Sequence, residues 1–135
     1  MRKTKGWLLI FMLSFSIFGL TSCGVNGENG LNLAYEQITQ AEAKAIMDSG
    51  EKCIIIDART DAEFAEGHIK DAILIPEYEI ASRAGQLLPD KDALILVYCR
   101  SGRRSKIASE ELVKLGYTNV KEFGGIIDWP YETVK

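Results

Sequence analysis

The sequence predicts an α/β domain with a central, mostly parallel β-sheet and helices on both faces. Short apolar runs that suit strands alternate along the chain with segments whose apolar residues recur at helical spacing. The run CIIID, residues 53–57, is continuously apolar up to its final acid, which is typical of strands buried on both faces. The chain has 135 residues and no internal repeat, so it allows one domain of ordinary size.

The first half of the predicted domain contains two helices and two strands. Thr39 and Thr60 are each followed three residues later by glutamate, a capping box that opens a helix, and Gly50 ends the first of these helices. The run CIIID, residues 53–57, predicts a strand that ends in an acid. The run AILIP, residues 72–76, predicts a second short strand.

The second half continues the same alternation. Apolar residues at helical spacing predict a helix around residues 80–88. The run ALILVYC, residues 93–99, is the strongest strand signal in the chain. A further helical pattern covers residues 107–115, and a last strand is expected at residues 119–123. Helices that alternate with strands in this way favour parallel pairing.

The first 22 residues predict an export signal. Arg2, Lys3 and Lys5 precede the uncharged run 7–20, as a basic n-region precedes the h-region of a secretory signal. The alternative is a transmembrane helix, but the uncharged run is shorter than the ~20 apolar residues that a span needs.

The segment LTSC, residues 20–23, resembles the lipobox of bacterial lipoproteins. The resemblance implies that residues 1–22 are a lipoprotein signal peptide and that Cys23 is lipidated; the alternative is an ordinary thiol near a signal-peptidase site. Two or three acyl chains would anchor the protein stably. We therefore expect a Gly- and Asn-rich tether at 23–34 to hold a domain at 35–135, exported and anchored by lipid at the outer face of the bacterial cytoplasmic membrane or in the periplasm.

The charge of the chain argues against a nucleic-acid partner. Removal of residues 1–22 takes away three of the 16 basic residues and none of the 19 acidic ones, which leaves 13 against 19 and a formal net charge of −6. An acidic domain is a poor partner for phosphate backbones. Against this background one basic cluster is a local exception, and its members are Arg100, Arg103, Arg104 and Lys106.

Cys99 lies at the carboxyl end of the strongest predicted strand, where parallel sheets place their ligand sites. A thiol attacks as its thiolate. The N-terminus of the following helix, the bend that Gly102 permits and the nearby arginines would all stabilise that anion. The same positive charge would attract an anionic substrate. The alternative is a buried, inert cysteine beside a solvated basic loop.

Three segments together resemble the rhodanese-domain sulfurtransferases. ALILVYCRSGRRS, residues 93–105, is similar to the active-site loop of that family. DARTDAEFAEGHIKDAILIP, residues 57–76, and FGGIIDWP, residues 123–130, are similar to its other characteristic segments. Lys-Asp-Ala at 70–72 stands where the family usually has a proline-glycine type of turn. The resemblance implies a rhodanese-like fold with a five-stranded sheet.

The resemblance also implies sulfur transfer through a persulfide. Cys99 would take the outer sulfur of thiosulfate, or of a related small anionic donor, and pass it to cyanide, a thiol or another nucleophile. Arg100 and Arg104 would hold the sulfonate oxygens, while Arg103 would face solvent. The substrate-binding residues implied by the resemblance form one stretch after the nucleophile: Arg100, Ser101, Gly102, Arg103, Arg104 and Ser105. The resemblance implies no metal and no organic cofactor.

Three other functions stay open on the sequence. A cysteine phosphatase or arsenate reductase also uses a thiolate in an anion loop, but the phosphatase motif Cys-x5-Arg would need arginine where the chain has Ser105. A non-catalytic rhodanese-like binding module commonly lacks the cysteine that is present here. A persulfide or polysulfide carrier is not separated from the enzyme by sequence.

The remaining reactive side chains have structural interpretations. His68, the only histidine, is a candidate general base, but an activated thiolate needs none. Asp57, Arg59 and Glu63 predict a buried, ion-paired set at a strand end.

A disulfide between Cys53 and Cys99 is not expected. The first opens its strand and the second closes its own, so about five residues at ~3.3 Å each would separate them in a parallel pair. That distance exceeds the ~7 Å between Cα atoms that a disulfide allows. We expect Cys53 to be a buried core thiol.

Overall fold

The computed structural model describes residues 34–135; the predicted signal, Cys23 and nearly all of the tether lie outside them. The strands are β1 (Glu36–Gln37), β2 (Ile54–Asp57), β3 (Ile73–Leu74), β4 (Ile95–Cys99) and β5 (Val120–Gly125). The helices are α1 (Gln40–Asp48), α2 (Asp61–Glu66), α3 (Ile80–Leu87) and α4 (Arg103–Lys114), with short 3-10 turns at Glu77–Glu79 and Ile126–Asp128. Within this part of the chain, no helix combines the length and apolar character needed to cross a membrane.

The five strands form one parallel sheet in the order β1-β5-β4-β2-β3. β4 is the central strand, and all five of its residues are buried. Ile54 pairs with Ile95 and Asp57 pairs with Tyr98, so β2 and β4 end at the same edge of the sheet. The predicted α/β class and parallel sheet are confirmed.

Each face of the sheet has its own apolar core. Leu96 and Val97 of β4 belong to different cores, because successive side chains of a strand point to opposite faces. Val97 packs in the core that contains Ala84 of α3 and Leu112 of α4. Leu96 packs in the core that contains Ala43 of α1. Helices therefore cover both faces, as a parallel sheet requires.

Both predicted capping boxes are present. The Thr39 and Thr60 side chains accept the backbone amides of Glu42 and Glu63, and each glutamate binds the backbone amide of its own threonine. β2, β4 and β5 overlap the predicted strands closely, whereas β3 keeps only two residues of its predicted run.

Two elements differ from the residue pattern. β1 consists of two polar residues at the edge of the sheet, paired with β5, so it has no apolar signal. α4 begins at Arg103 rather than near residue 107, because Gly102 caps it directly. Arg103, Arg104 and Ser105 therefore form the first turn of a helix and do not belong to a loop.

The turn at residues 70–72 is made without glycine. Asp71 has a φ of 66°, within the left-handed region. Aspartate adopts this conformation more readily than most residues because its short polar side chain can bond locally. The departure from the family's usual turn is therefore accommodated at a single residue.

Candidate active site

Cys99 ends the central strand at the carboxyl edge of the sheet. The residue is 1% exposed. The backbone amide of Gly102 donates to its Sγ across 3.0 Å, and Ser105 Oγ lies 3.4 Å from the same sulfur. An amide aimed at the sulfur is a favourable partner for a sulfur anion.

Gly102 makes this contact possible through its backbone conformation. Its φ is 102° and its ψ is −14°, which a residue with a Cβ adopts only under strain. The bend turns the chain from β4 into α4 within three residues, so the positive N-terminus of the helix lies beside Cys99. The bend that Gly102 was predicted to permit is therefore present.

Residues at the end of β5 and just after it contact the loop that follows Cys99. The amide of Ile127 donates to Arg100 O across 3.1 Å, and Gln40 Nε2 donates to Gly125 O across 2.7 Å. A Cβ on Gly125 would lie 2.0 Å from Arg100 O and 2.6 Å from the Cα of Ser101. Only glycine fits at position 125 while the loop keeps this path.

Arg104 forms a two-fold ion pair with Glu63. Its Nη1 and Nη2 each lie 2.8 Å from a different carboxylate oxygen. This hydrogen-bonded guanidinium holds the pKa of Glu63 at about 2, with help from the Thr60 cap. The pKa of Arg104 is raised, chiefly by Glu63 and in lesser part by electrostatic interaction with Cys99.

This pair corrects one prediction. Glu63 was expected to belong to a buried set with Asp57 and Arg59, but it is only partly buried and binds Arg104. The role of Arg104 in holding a sulfonate stays a prediction, and in this structure its terminal nitrogens bind the Glu63 carboxylate. Arg104 is a positive charge held beside the Cys99 loop.

The other polar residues that follow Cys99 divide into exposed and buried groups. Arg100, Ser101 and Arg103 are exposed, and neither of these two arginines forms an ion pair within residues 34–135. Ser105 is fully buried, and its hydroxyl lies 2.6 Å from Glu122 Oε1. Glu122 was not predicted from the sequence. The one feature that could have indicated it is an acidic residue within a strand that borders the core.

A buried set stands next to Cys99 on the same edge. Asp57 is fully buried, and Arg59 binds it with Nη2 at 2.7 Å from Oδ2. The hydroxyl of Tyr98 donates to the same Oδ2 across 2.5 Å, and Arg59 also donates to Gly67 O across 2.7 Å. Burial, followed by the charge of Asp57, raises the pKa of Tyr98 above its ordinary value. The predicted pair of Asp57 and Arg59 is confirmed, with tyrosine as its third member.

His68 has contacts that are structural. Its Nδ1 lies 3.1 Å from Phe64 O, and its ring stacks on the Phe64 ring with centroids 3.7 Å apart. Its backbone bridges to Val134. None of these contacts involves the Cys99 loop, in agreement with the structural interpretation.

Cys53 lies at the other end of the sheet from Cys99. Both cysteines are free, and Cys53 is half-buried rather than fully buried as predicted. It lines a groove of about 770 Å³ together with Trp129 and Tyr131. Burial raises the pKa of the Cys53 thiol, which disfavours its thiolate. Within the described residues, no cluster of His, Cys, Asp or Glu side chains could hold a metal ion.

Comparison with known proteins identifies the family. The sequence profile of the family described as "Rhodanese-like domain" matches residues 39–130. "Thiosulfate sulfurtransferase PspE" of Escherichia coli is 39% identical over 80 residues, which cover 59% of this chain and 77% of that protein. "Sulfurtransferase" of Allochromatium vinosum is 41% identical over 80 residues, which cover 58% of this chain and 73% of that protein.

A solved structure gives the same result. The structure described as "rhodanese with anions from E. coli" is 37% identical, with a TM-score of 0.59, and the match covers 62% of this chain and 99% of that one. The fold, the loop that follows the central strand and the named relatives agree. The chain belongs to the rhodanese-like domain family and is an enzyme of the sulfurtransferase type.

Proposed function

We propose that the protein moves sulfane sulfur from thiosulfate, or from a related small anionic donor, to a nucleophilic acceptor through a persulfide on Cys99. The observation that carries this proposal is the amide of Gly102 aimed at Cys99 Sγ, next to a helix N-terminus and the charge of Arg104. Exposed Arg100 and Arg103 lie outside this centre, where an incoming anion would meet them.

The reaction has two half-reactions that share one intermediate. The Cys99 thiolate attacks the outer sulfur of thiosulfate, the sulfur–sulfur bond of the donor breaks, and its electron pair leaves with sulfite. The negative charge is then on the outer sulfur of the persulfide. In the second half-reaction, cyanide or a thiolate attacks that outer sulfur and the Cys99 thiolate is restored. Ping-pong kinetics are expected.

The direct test is the mass of the protein after incubation with thiosulfate. We expect a gain of one sulfur atom, located by peptide mapping on the peptide that contains Cys99, and its removal by cyanide with formation of thiocyanate. An unchanged mass with thiosulfate and with polysulfide would overturn the proposal. Release of phosphate from p-nitrophenyl phosphate would support the phosphatase alternative.

The three arginines that follow Cys99 are expected to have different roles. Arg100→Ala should lower kcat/KM for thiosulfate by ~10- to 100-fold, because one charge-assisted contact to the sulfonate is lost. It should affect an uncharged sulfane donor much less. Arg104→Ala should slow both donors alike, because its charge acts on the thiolate and not on the donor. Arg103→Ala is the matched control on the same helical turn and should cost the least.

Steady-state kinetics of the three variants on one charged and one neutral donor measure these effects. If Arg104→Ala lowers kcat/KM for thiosulfate but not for the neutral donor, Arg104 binds the sulfonate of the substrate. Equal losses on both donors in the Arg100 variant would show that Arg100 shapes the loop instead of binding the sulfonate.

We also propose that the domain is exported and held at a membrane by lipid on Cys23. The support is the sequence alone: the basic start, the uncharged run and LTSC. Cys23→Ser should prevent incorporation of labelled palmitate and leave the protein either unprocessed or released from membranes. Equal labelling of the variant and the unaltered chain would contradict the proposal.

A further inference from the structure

Glu122 is a buried carboxylate in the strand next to that of Cys99. It is 3% exposed. Burial of a carboxylate is unfavourable unless donors satisfy it, and Glu122 Oε1 accepts from Ser105 Oγ at 2.6 Å and from the amide of Gly124 at 2.8 Å. The proposed sulfur-transfer steps do not use this carboxylate.

A bulge in β5 provides one of these donors. Val97 pairs with Glu122, but Cys99 pairs with Gly125, so β5 has one more residue than β4 over this interval. Gly124 takes up the irregularity with a φ of 90°. Bulges of this kind re-aim side chains and amides next to active sites. Here the amide of Gly124 is turned toward the Glu122 carboxylate.

The hydroxyl of Ser105 has one proton and three acceptors within reach. Glu122 Oε1 is at 2.6 Å, whereas the carbonyl oxygens of Gly102 and Gly124 are at 3.0 and 3.4 Å. A charged acceptor at short distance takes the proton. A lone pair of Ser105 Oγ therefore faces Cys99 Sγ at 3.4 Å, and the thiol donates to it.

This arrangement has different electrostatic effects on the thiolate and the persulfide of Cys99. In the thiolate, the negative charge is on Sγ, where it faces an oxygen lone pair and, behind it, the Glu122 carboxylate. In the persulfide, Sγ is neutral and the charge is on the outer sulfur. That sulfur is bonded at ~2.05 Å and does not fit between Sγ and Ser105 Oγ, so it lies away from Glu122.

Resting on the proposed persulfide chemistry, we propose that Glu122, acting through Ser105, is a positioning residue that shifts Cys99 from the free thiolate toward the persulfide. In the loading step a bond forms between Sγ and the outer sulfur of thiosulfate, the donor's sulfur–sulfur bond breaks, and sulfite leaves with the electron pair. The total charge is unchanged, but the charge on the protein moves away from Glu122.

Other titratable groups surround the two sites. Tyr35 lies just ahead of β1, and its pKa is raised by burial and then by the carboxylates of Glu110 of α4 and Glu122. Arg104 of α4 interacts electrostatically with Cys99, which contributes to the raised pKa of Arg104. Glu110 is a partly buried carboxylate on the helix that carries Ser105, without a bond to that hydroxyl, so it is the matched control.

The first measurement is the pH profile of Cys99 alkylation by iodoacetamide in the full chain, with peptide mapping to separate Cys99 from the other cysteines. Glu122→Gln should move the midpoint to lower pH by about one unit, a tenfold gain in thiolate. Glu122→Asp and Glu110→Gln should leave it near that of the unaltered protein. If Glu122 only supported the local structure, its substitution would not stabilise the thiolate. An unchanged or higher alkylation midpoint in Glu122→Gln therefore overturns the proposal.

The second measurement is the fraction of Cys99 in the persulfide form at a fixed ratio of thiosulfate to sulfite. The pH is set above the alkylation midpoints of both the unaltered protein and Glu122→Gln. Glu122→Gln should lower the loading constant by about tenfold; equal loading would overturn the proposal. If the unaltered protein takes up no sulfur, the persulfide function fails, while the alkylation profile still decides the role of Glu122.

The unaltered protein gives a reciprocal test in case Glu122→Gln does not fold. The carboxyl ¹³C resonance of Glu122, followed through the pH range in which Cys99 loses its proton, should move in the unloaded protein and move much less in the persulfide form, because the persulfide charge lies away from Glu122. Equal movement in the two forms overturns the proposal.

Discussion

Cys99→Ser is expected to abolish sulfur transfer, with turnover at least ~10³-fold lower. The hydroxyl of serine would have the same place at the end of β4 and the same amide neighbour, but it does not form an anion near neutral pH and is a much weaker nucleophile. Residue 99 is 1% exposed, but serine and cysteine have nearly the same size and shape, so the surrounding fold should change little. The measurement is steady-state formation of thiocyanate from thiosulfate and cyanide.

Cys53→Ser is the matched control for this loss. It removes the other free thiol of the described chain, which lies at the amino end of β2. Because burial raises the pKa of Cys53, this thiol contributes little thiolate. Most of the turnover should remain. Substantial turnover in Cys99→Ser, or a loss of equal size in Cys53→Ser, would contradict the assignment of Cys99 as the sole nucleophile.

Arg59→Met should lower the free energy of unfolding by about 3–5 kcal/mol, because it leaves the fully buried Asp57 carboxylate without its positive partner. Methionine retains much of the apolar stem, so the loss comes mainly from the charge. Urea denaturation of the full chain, followed by circular dichroism, measures the change.

Two further variants isolate the cause. Arg83→Met removes an exposed arginine paired with Glu79 one helical turn away and should cost less than about 1 kcal/mol. Addition of Asp57→Asn to Arg59→Met should recover part of the stability, since no unpaired charge is then buried. Losses of similar size in the two arginine variants would show that the buried pair contributes no more than a surface pair.

The features that could be predicted from the sequence are those that local patterns determine. Continuous apolar runs identified three of the five strands, the short run 119–123 before two glycines indicated a fourth, and Thr39 and Thr60 marked two helix starts, because a capping box closes within four residues. The place of Cys99 followed from the rule that parallel strands end at one edge.

The features that were missed depend on partners that are distant in sequence. Glu63 and Arg104 are 41 residues apart, and their pairing depends on how α2 packs against the start of α4. Glu122 is 17 residues from Ser105, and β1 is a strand only because β5 lies beside it. Residue type alone does not choose among several possible carboxylates for one arginine or one hydroxyl.

The central position of β4 has a consequence for how the molecule opens. Strands β2 and β5 protect it on both sides, whereas β1 and β3 are two-residue edges. Fluctuations that expose backbone amides begin where few hydrogen bonds must break. The amide hydrogens of the edge strands therefore exchange with solvent first, and those of β4 exchange only in rare, nearly global openings. Cys99 thus lies on the strand that opens most slowly. Mild heating should open the edge strands β1 and β3 well before it disturbs the reactive sulfur.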